Sequence, residues 1–436
     1  MLYAYLKTYG CQMNEYDSEI LAGLLKENHY ELTASPGEAD LILLNTCYVR
    51  EKVKHKIYSK LGELKKLKEK NPNLILGVCG CLAQKEPRET LHQAPYLDFI
   101  LGTFGFSQLP WVLEKVRENH SKIIRVQEEG TIPEGLSKLR QSRFTAYVPV
   151  IRGCNNFCSY CNVPYVRGRE RSRLPCDILK EIKELSRQGY KEVTLLGQNV
   201  NSYGKDLSDH QDFADLLIQV NQVKGIRRIR FTTSHPKDLS DKLIDQMAHL
   251  DKVCEHLHLP LQSGSNRILS RMRRGYTGEE YQNRVKDLRE AVPGISLTTD
   301  IIVGFPGESE ADFQETLGMV KRIGFDGAFT FRYSRLPGTE AAEFDYQVPE
   351  EIKKERLRKL IDLQQKITLE KNSGLVGSEF EVMVEGVSKK SPQQLQGRTR
   401  NNKIVIFEAS KELIGDFIWV RILEAGCWAL KGNILP

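Results

Sequence analysis

From the first residue to about Leu101, short apolar runs alternate with amphipathic stretches. LYAYL at 2–6 predicts a strand, and residues 16–27 place Ile20, Leu21, Leu24 and Leu25 on one helical face. LILL at 41–44 predicts a buried strand, and a charged helix over about 53–70 leads into a third strand, LILGV at 74–78. This alternation implies βαβ units and a parallel sheet. A charged, Gly/Pro-punctuated stretch at 122–143 predicts a connector. A longer alternation follows, with strands predicted at 147–151, 192–196, 228–232, 256–259, 296–303 and 327–333. Helical patterns at 177–188, 238–249 and 311–323 separate them. Six βα units in a row predict a partial barrel with its chemistry at the strand C-termini. A charged amphipathic helix over 349–371 turns Ile352, Leu357, Leu360, Ile361 and Leu363 toward a core. Beyond Val376 the period changes to two, in FEVMVEGV, KIVIFE, DFIWVRILEA and the last residues, predicting a small β-barrel.

The expected fold class is therefore α/β: an N-terminal parallel α/β sheet domain (1–121), a linker (122–143), a partial (β/α)6 TIM-like barrel (144–372) and a C-terminal all-β barrel (373–436). At 436 residues, 40% hydrophobic and 28% charged, the composition is that of a globular chain. No apolar run approaches the ~20 residues a bilayer requires, and MLYAYLKTYG has no signal-peptide pattern, so a cytoplasmic protein without a membrane partner is expected. A net charge of +6 leans only mildly toward polyanions.

Cysteine changes the picture. The chain has 10, and three of them, Cys154, Cys158 and Cys161, stand within RGCNNFCSYCNVPY just after the first barrel strand. A structural zinc requires four protein ligands, which Cys176 would have to complete. Three thiolates on a four-iron, four-sulfide cubane would instead leave one iron open to a small molecule. In the N-terminal domain Cys11, Cys47 and Cys81 each lie just beyond a predicted strand, at the edge where open α/β sheets bind ligands, so these distant thiols can converge. Cys79, at the end of the third strand, competes with Cys81.

The triad, GCNNFCSYCNVPYVRGRERSR, the motifs YGCQMNEYDSE, LNTCYVR and GCLAQKE, and the terminal β module together resemble the methylthiotransferase family of the radical S-adenosylmethionine superfamily. The resemblance spans nearly the whole chain. LLGQNVNSYGKD, TTSHPKDLSDKLI, LPLQSGSNRILSRMRRGYT and GRTRNNKIVIFE are similar to the branch acting on isopentenylated adenosine beside the anticodon of tRNA. A related branch acts on threonylcarbamoyl-adenosine in tRNA, and a reading of another class is a non-catalytic, zinc-stabilised RNA-binding protein. The resemblance implies two 4Fe-4S clusters, one on Cys154, Cys158 and Cys161 and an auxiliary one on Cys11, Cys47 and Cys81 that carries the sulfur. It further implies S-adenosylmethionine as methyl donor and radical source, a separate electron donor, and a TRAM domain that binds RNA; a monomer is expected. No catalytic residue beyond the cluster ligands is singled out.

At the barrel strand ends, Gln198, Asn199, Ser234, Gln262 and Asp300 are candidates for contacts to S-adenosylmethionine, although polar residues there also serve loop backbone. IVGFPGE at 302–308 lacks the lysine of a phosphate loop and reads as a turn. For RNA, the candidates are Arg167, Arg169, Arg171 and Arg173 after the cluster loop, and Arg398, Arg400 and Lys403 beside Phe407, Phe417 and Trp419 in the terminal module. Arg271, Arg273 and Arg274 form a second basic patch.

Overall fold

The structure, a computed structural model, describes residues 1–48, 51–119, 122–130, 132–389 and 391–435, the side chains of residues 51, 52 and 119 excepted. Val49 and Arg50 of the LNTCYVR motif and the domain boundary placed at 121 lie outside the described residues.

The first domain is a six-stranded sheet in which every pairing is parallel. Its strands are β1 (Leu2–Thr8), β2 (Tyr30–Leu32), β3 (Leu41–Thr46), β4 (Ile75–Gly80), β5 (Phe99–Leu101) and β6 (Ile123–Arg125), in the order β2-β1-β3-β4-β5-β6. β3 and β4 are buried at every position, as a sheet covered on both faces by helices demands. The three strands that precede Cys11, Cys47 and Cys81 are immediate neighbours in this order. With ~4.8 Å between adjacent strands, the three loops lie within about 10 Å of sheet edge. The segment at 122–143 is not connector throughout: β6 opens it and pairs with β5, because its backbone completes the ladder although only three residues take part.

The central domain holds six parallel strands: β7 (Thr145–Pro149), then, after the short antiparallel pair β8 (Ile151–Arg152) and β9 (Arg171–Ser172), β10 (Glu192–Leu196), β11 (Arg228–Phe231), β12 (His256–His258), β13 (Ser296–Val303) and β14 (Gly327–Arg332). β7-β10-β11 and β12-β13-β14 form two runs joined by a parallel bridge between Ile229 and Val253, giving a curved, open barrel. Ile229, Phe231, Leu297, Ile301 and Val303 enter one apolar core with the flanking helices, while the alternate residues Arg228, Arg230, Thr298 and Asp300 lie on the opposite face of their strands.

The helix Glu350–Ser373 turns Leu357, Leu360 and Leu363 to the barrel core as predicted, but polar residues share that face and Ile352 does not. Lys353, Arg356, Leu360 and Gln364 are buried and Ile352 is exposed, because the helix lies against the open side of the barrel, where Arg356 pairs with Glu308 and Gln364 donates to the carbonyl of Phe325. The chain ends in a closed barrel of β15 (Glu379–Val387), β16 (Gln394–Thr399), β17 (Ile404–Glu408), β18 (Phe417–Ala425) and β19 (Leu430–Ile434), ordered β15-β16-β17-β19-β18. Among the described residues no helix is long and apolar enough to cross a membrane.

Candidate active site

Buried polar side chains tie the three N-terminal cysteine loops together. Asn14, fully buried, accepts from the Cys11 amide and donates to Asn45 Oδ1 and the Thr46 carbonyl, both at 3.3 Å. Asn45 donates in turn to Ser18 Oγ at 2.9 Å, and Ser18 meets Thr8 at the end of β1. Cys11 caps the helix Gln12–Glu27, Cys47 follows β3, and Cys81 opens the helix Cys81–Lys85. Gly80 supplies the turn at φ +91°, where a Cβ would stand 2.5 Å from Asn45 Oδ1 and from the Thr46 carbonyl. That turn separates two thiols: Cys79 lies in an apolar core with Phe99 and Leu101, whereas Cys81 packs on the other side with Leu82 and Val166. Burial pushes the Cys81 thiol up, and the nearby Arg167 guanidinium opposes that push.

The second triad occupies the loop between β8 and β9. Gly153, at φ +79°, begins it where a Cβ would meet the Arg169 carbonyl at 2.0 Å. Asn156 donates to Cys154 Sγ, the Val163 amide to Cys161 Sγ and Arg274 Nη1 to Cys158 Sγ, each at 3.4 Å. Ser159 anchors the loop to the opposite wall, donating through its hydroxyl to the Arg271 carbonyl and through its amide to the Met272 carbonyl. Burial and the neighbouring thiols push Cys154 up to about 11 and Cys161 up to about 12. Cys154 and Cys161 so enclosed resist ionisation until a cationic group joins them, which is the chemistry expected of cluster ligands. Among the described residues no three His, Cys, Asp or Glu side chains meet as ligands of one metal ion, and a cubane, gripped at separate corners, does not require them to.

A cavity of ≈ 750 Å³ opens beside Cys161, with Asn162, Gln262, Asp300, Arg332 and Tyr333 in its wall. Gln262 Oε1, Ser234 Oγ, Asn199 Oδ1 and both polar atoms of the Asn162 side chain are buried with no partner in the protein. Such orphaned groups are costly, and their concentration at one barrel mouth fits a polar ligand received there. Three of the five sequence candidates for cofactor contact belong to this set, and Asp300 lines the cavity. Gln198 has another role, accepting from the Gly153 amide at 2.6 Å and so bracing the cluster loop.

Models of three families match the chain: Uncharacterized protein family UPF0004 over residues 3–102, the Radical SAM superfamily over 148–320 and the TRAM domain over 375–435. The tRNA-2-methylthio-N(6)-dimethylallyladenosine synthase of Moorella thermoacetica is 54% identical over 431 residues, covering 98% of this chain and 97% of that protein. Its namesake from Carboxydothermus hydrogenoformans is 51% identical over 434 residues, 99% of both. The chain belongs to the tRNA-2-methylthio-N(6)-dimethylallyladenosine synthase family. Membership makes it a radical SAM enzyme, a transferase that uses S-adenosylmethionine and an iron–sulfur cluster, and sets aside the non-catalytic RNA-binding alternative. In fold it is similar to the radical S-adenosylmethionine methyltransferase TsrM from Kitasatospora setae, with a TM-score of 0.55 at 14% identity over 76% of this chain and 73% of that one.

Several arginines of this synthase-family chain are not where the sequence expects them. Arg167 and Arg173 are buried instead of facing RNA: Arg167 pairs with Asp17 at 2.6 Å and donates to Cys81 Sγ, and Arg173 forks onto Glu134 and pairs with Glu181. Arg169 and Arg171 stay exposed, Arg169 lying over the Phe157 ring. In the second basic patch, Arg274 is buried on Cys158, Arg271 stands over Phe344 and Arg273 pairs with Glu340. In the terminal module Arg398 donates to Glu385, Arg400 forks onto Glu255 and Lys403 pairs with Asp326, so these cations hold the protein together. Phe407 is in the small barrel's core and Phe417 sits beneath Arg227 and Arg228, so of the three aromatics expected to face RNA Trp419, 55% exposed, is the one open to a ligand. Asn14, Asp17 and Asn162 escaped the sequence reading, which placed Arg274 in a basic patch and not on Cys158. Asn14 had one available signal: it stands three residues after Cys11, at the capping-box position.

Proposed function

We propose that this chain transfers a methylthio group to C2 of N6-isopentenyladenosine next to the anticodon in tRNA, using two 4Fe-4S clusters. Cys154, Cys158 and Cys161 would hold the radical-generating cluster, and Cys11, Cys47 and Cys81 the auxiliary one. When bound, these groups supply an electron for cleaving S-adenosylmethionine and the sulfur to be inserted. The protein's own part is to bind and orient. Asn162, Ser234 and Gln262 offer unpaired polar atoms to the cofactor's amino, carboxylate and ribose groups, and Asp300 offers a carboxylate from the cavity wall. Arg169 and Arg171, on the exposed rim of the cluster loop, are placed to meet phosphates, and Trp419 to stack on a base. An adenine C2–H offers a positioned base nothing acidic to remove, which agrees with the absence of a proposed acid–base pair.

The observation that carries this reading is the juxtaposition of the two triads. The helix Val163–Arg167 starts two residues beyond Cys161, and its last residue, Arg167, donates to Cys81 Sγ, so one short helix links the two cysteine sets. We further propose a cytoplasmic monomer served by a separate electron donor and acting on the anticodon stem-loop. The test is iron and acid-labile sulfide per chain after anaerobic reconstitution, together with nucleoside mass spectrometry on stem-loops bearing isopentenyl- or threonylcarbamoyl-adenosine. About eight irons, falling to about four in the Cys154/Cys158/Cys161 triple-alanine chain, with methylthiolation of the isopentenylated substrate alone, is the expected result. Zinc without iron, or a product from the threonylcarbamoyl substrate only, would overturn it.

A further inference from the structure

Arg167 belongs by sequence to the barrel's cluster loop, yet its guanidinium lies inside the N-terminal domain, 4% exposed. Its Nε donates to Cys81 Sγ at 3.3 Å and its Nη1 meets Asp17 Oδ2 at 2.6 Å, while Nη2 has no partner. The helix that carries it is fixed at both ends of its span: the Val166 side chain is part of the N-terminal core, the Val166 carbonyl accepts from Thr103 Oγ1 at 2.7 Å, and the Cys161 thiol accepts from the Val163 amide. Arg152, the neighbouring buried cation, is engaged elsewhere, donating to the Thr103 carbonyl and lying over Phe104. Arg167 is therefore the cation that reaches the sulfur.

The ion pair has a direction. The positive Nε edge faces Cys81 and the carboxylate binds on Nη1, so the thiol meets a cationic donor that Asp17 holds in place. Hydrogen bonds and charge at cluster sulfurs set reduction potentials, because a positive neighbour favours the added electron. Charge-assisted donors are about twice as strong as neutral ones, and this one acts where solvent does not screen it.

We propose that Arg167 is a positioning residue for the auxiliary cluster, raising its reduction potential from the barrel side and thereby making that potential depend on the docking of the two domains. The proposal rests on the two-cluster reading. The function of the residue is to donate to the Cys81 sulfur, with Asp17 as its orienting partner; it does not touch substrate.

The test uses the full-length Cys154/Cys158/Cys161 triple-alanine chain, so that only the auxiliary cluster is present, and compares midpoint potentials by EPR-monitored redox titration. The Arg167→Gln/Asp17→Asn double variant removes the charge without stranding a buried carboxylate, and Arg167→Lys restores the charge. The double variant should retain iron and show at least a tenfold lower ratio of reduced to oxidised cluster at fixed potential, ~59 mV downward for one electron, with Arg167→Lys recovering more than half of the shift. Loss of iron from the double variant with retention in Arg167→Lys would make the cation a structural requirement of the site and overturn the tuning role. An unchanged midpoint in the double variant, an equal fall in Arg167→Lys, or loss of iron from both would overturn it and leave the two-cluster reading standing. A parent triple-alanine chain without iron would overturn both.

Discussion

Gln262 combines two unfavourable features in one residue: a backbone at φ +69°, rare for a side chain with a Cβ, and a buried Oε1 with no protein partner. Each costs on the order of 1–3 kcal/mol, and sites that keep both are concentrated where a ligand repays them. Gln262→Leu should therefore act in opposite directions on the two states. The apo chain should gain stability, because an unsatisfied acceptor is gone, while binding of S-adenosylmethionine weakens roughly 5- to 150-fold. Equilibrium dialysis of the reconstituted protein against the cofactor, with chemical denaturation of the apo chain, reads both; unchanged affinity would remove Gln262 from the site. Glu19 makes a second residue-scale prediction. Burial pushes its carboxyl up to about 7, against the pull of Arg140, which it meets at 3.0 Å. Since the folded value lies above the unfolded one, its favourable contribution is complete below about pH 4.5 and is lost as the pH rises through about 7. Glu19→Gln removes that dependence and leaves Arg140 its second partner, Glu181. Urea midpoints of the two chains should thus diverge in favour of the variant between about pH 5.5 and about pH 8, and parallel curves would refute the shift.

Among the elements, the turn at Gly80 joins β4, which ends there, to the helix that opens with Cys81. Gly80→Ala forces a Cβ toward Asn45 and Thr46 at a φ of +91°, costing about 1–2 kcal/mol for the backbone alone, with the overlap in addition. The displaced element is the Cys81 helix, so iron should fall from about eight to about four per chain while the barrel triad keeps its cluster; full retention would show that the loop can shift without losing its ligand. Why some elements were legible follows from length and partners. β10 and β13 match their sequence assignments end to end because five and eight residues suffice for a pattern to show. β2, β5 and β6 have three residues each, too few for a period, and exist because the adjacent strand of the sheet offers each a ladder. β16 reads QLQGRT, polar enough to hide its alternation of buried and half-buried positions. The loop placement of Cys11, Cys47 and Cys81 was readable because strand ends fix where a loop begins. The arginines were not: a charge on a loop looks the same in sequence whether it faces solvent or, like Arg167, a carboxylate contributed from another domain.

At the scale of the whole molecule, the small β-barrel is seated on the end of the central barrel away from the cysteines. The backbone carbonyls of Arg398, Thr399 and Arg400 accept from Arg228 and Arg230, which lie at the start of β11. Arg400 forks onto Glu255 just before β12, and Lys403 pairs with Asp326 just before β14. The β16–β17 turn is thus locked to the strand N-termini, while the cluster loop and cavity lie at the strand C-termini. A tRNA that presents its anticodon loop to the cavity and also contacts the small barrel must span the height of the central domain. Rigid docking then matters for substrate more than for the clusters. Arg400→Ala/Lys403→Ala removes two of the side-chain locks, leaving the pairs of Glu381 with Arg227 and Arg228, and leaves Asp326 its partner Lys371, so the folds of both barrels should survive. Breaking partly buried pairs from one side costs about 3 kcal/mol, which weakens docking roughly 100-fold. The expected result is a new protease-sensitive site near Gly374–Gly377, iron content equal to wild type, and a KM for the stem-loop that rises while binding of S-adenosylmethionine stays unchanged. A protease pattern and KM identical to wild type would mean that the arginine ladder of β11 seats the small barrel without those two locks.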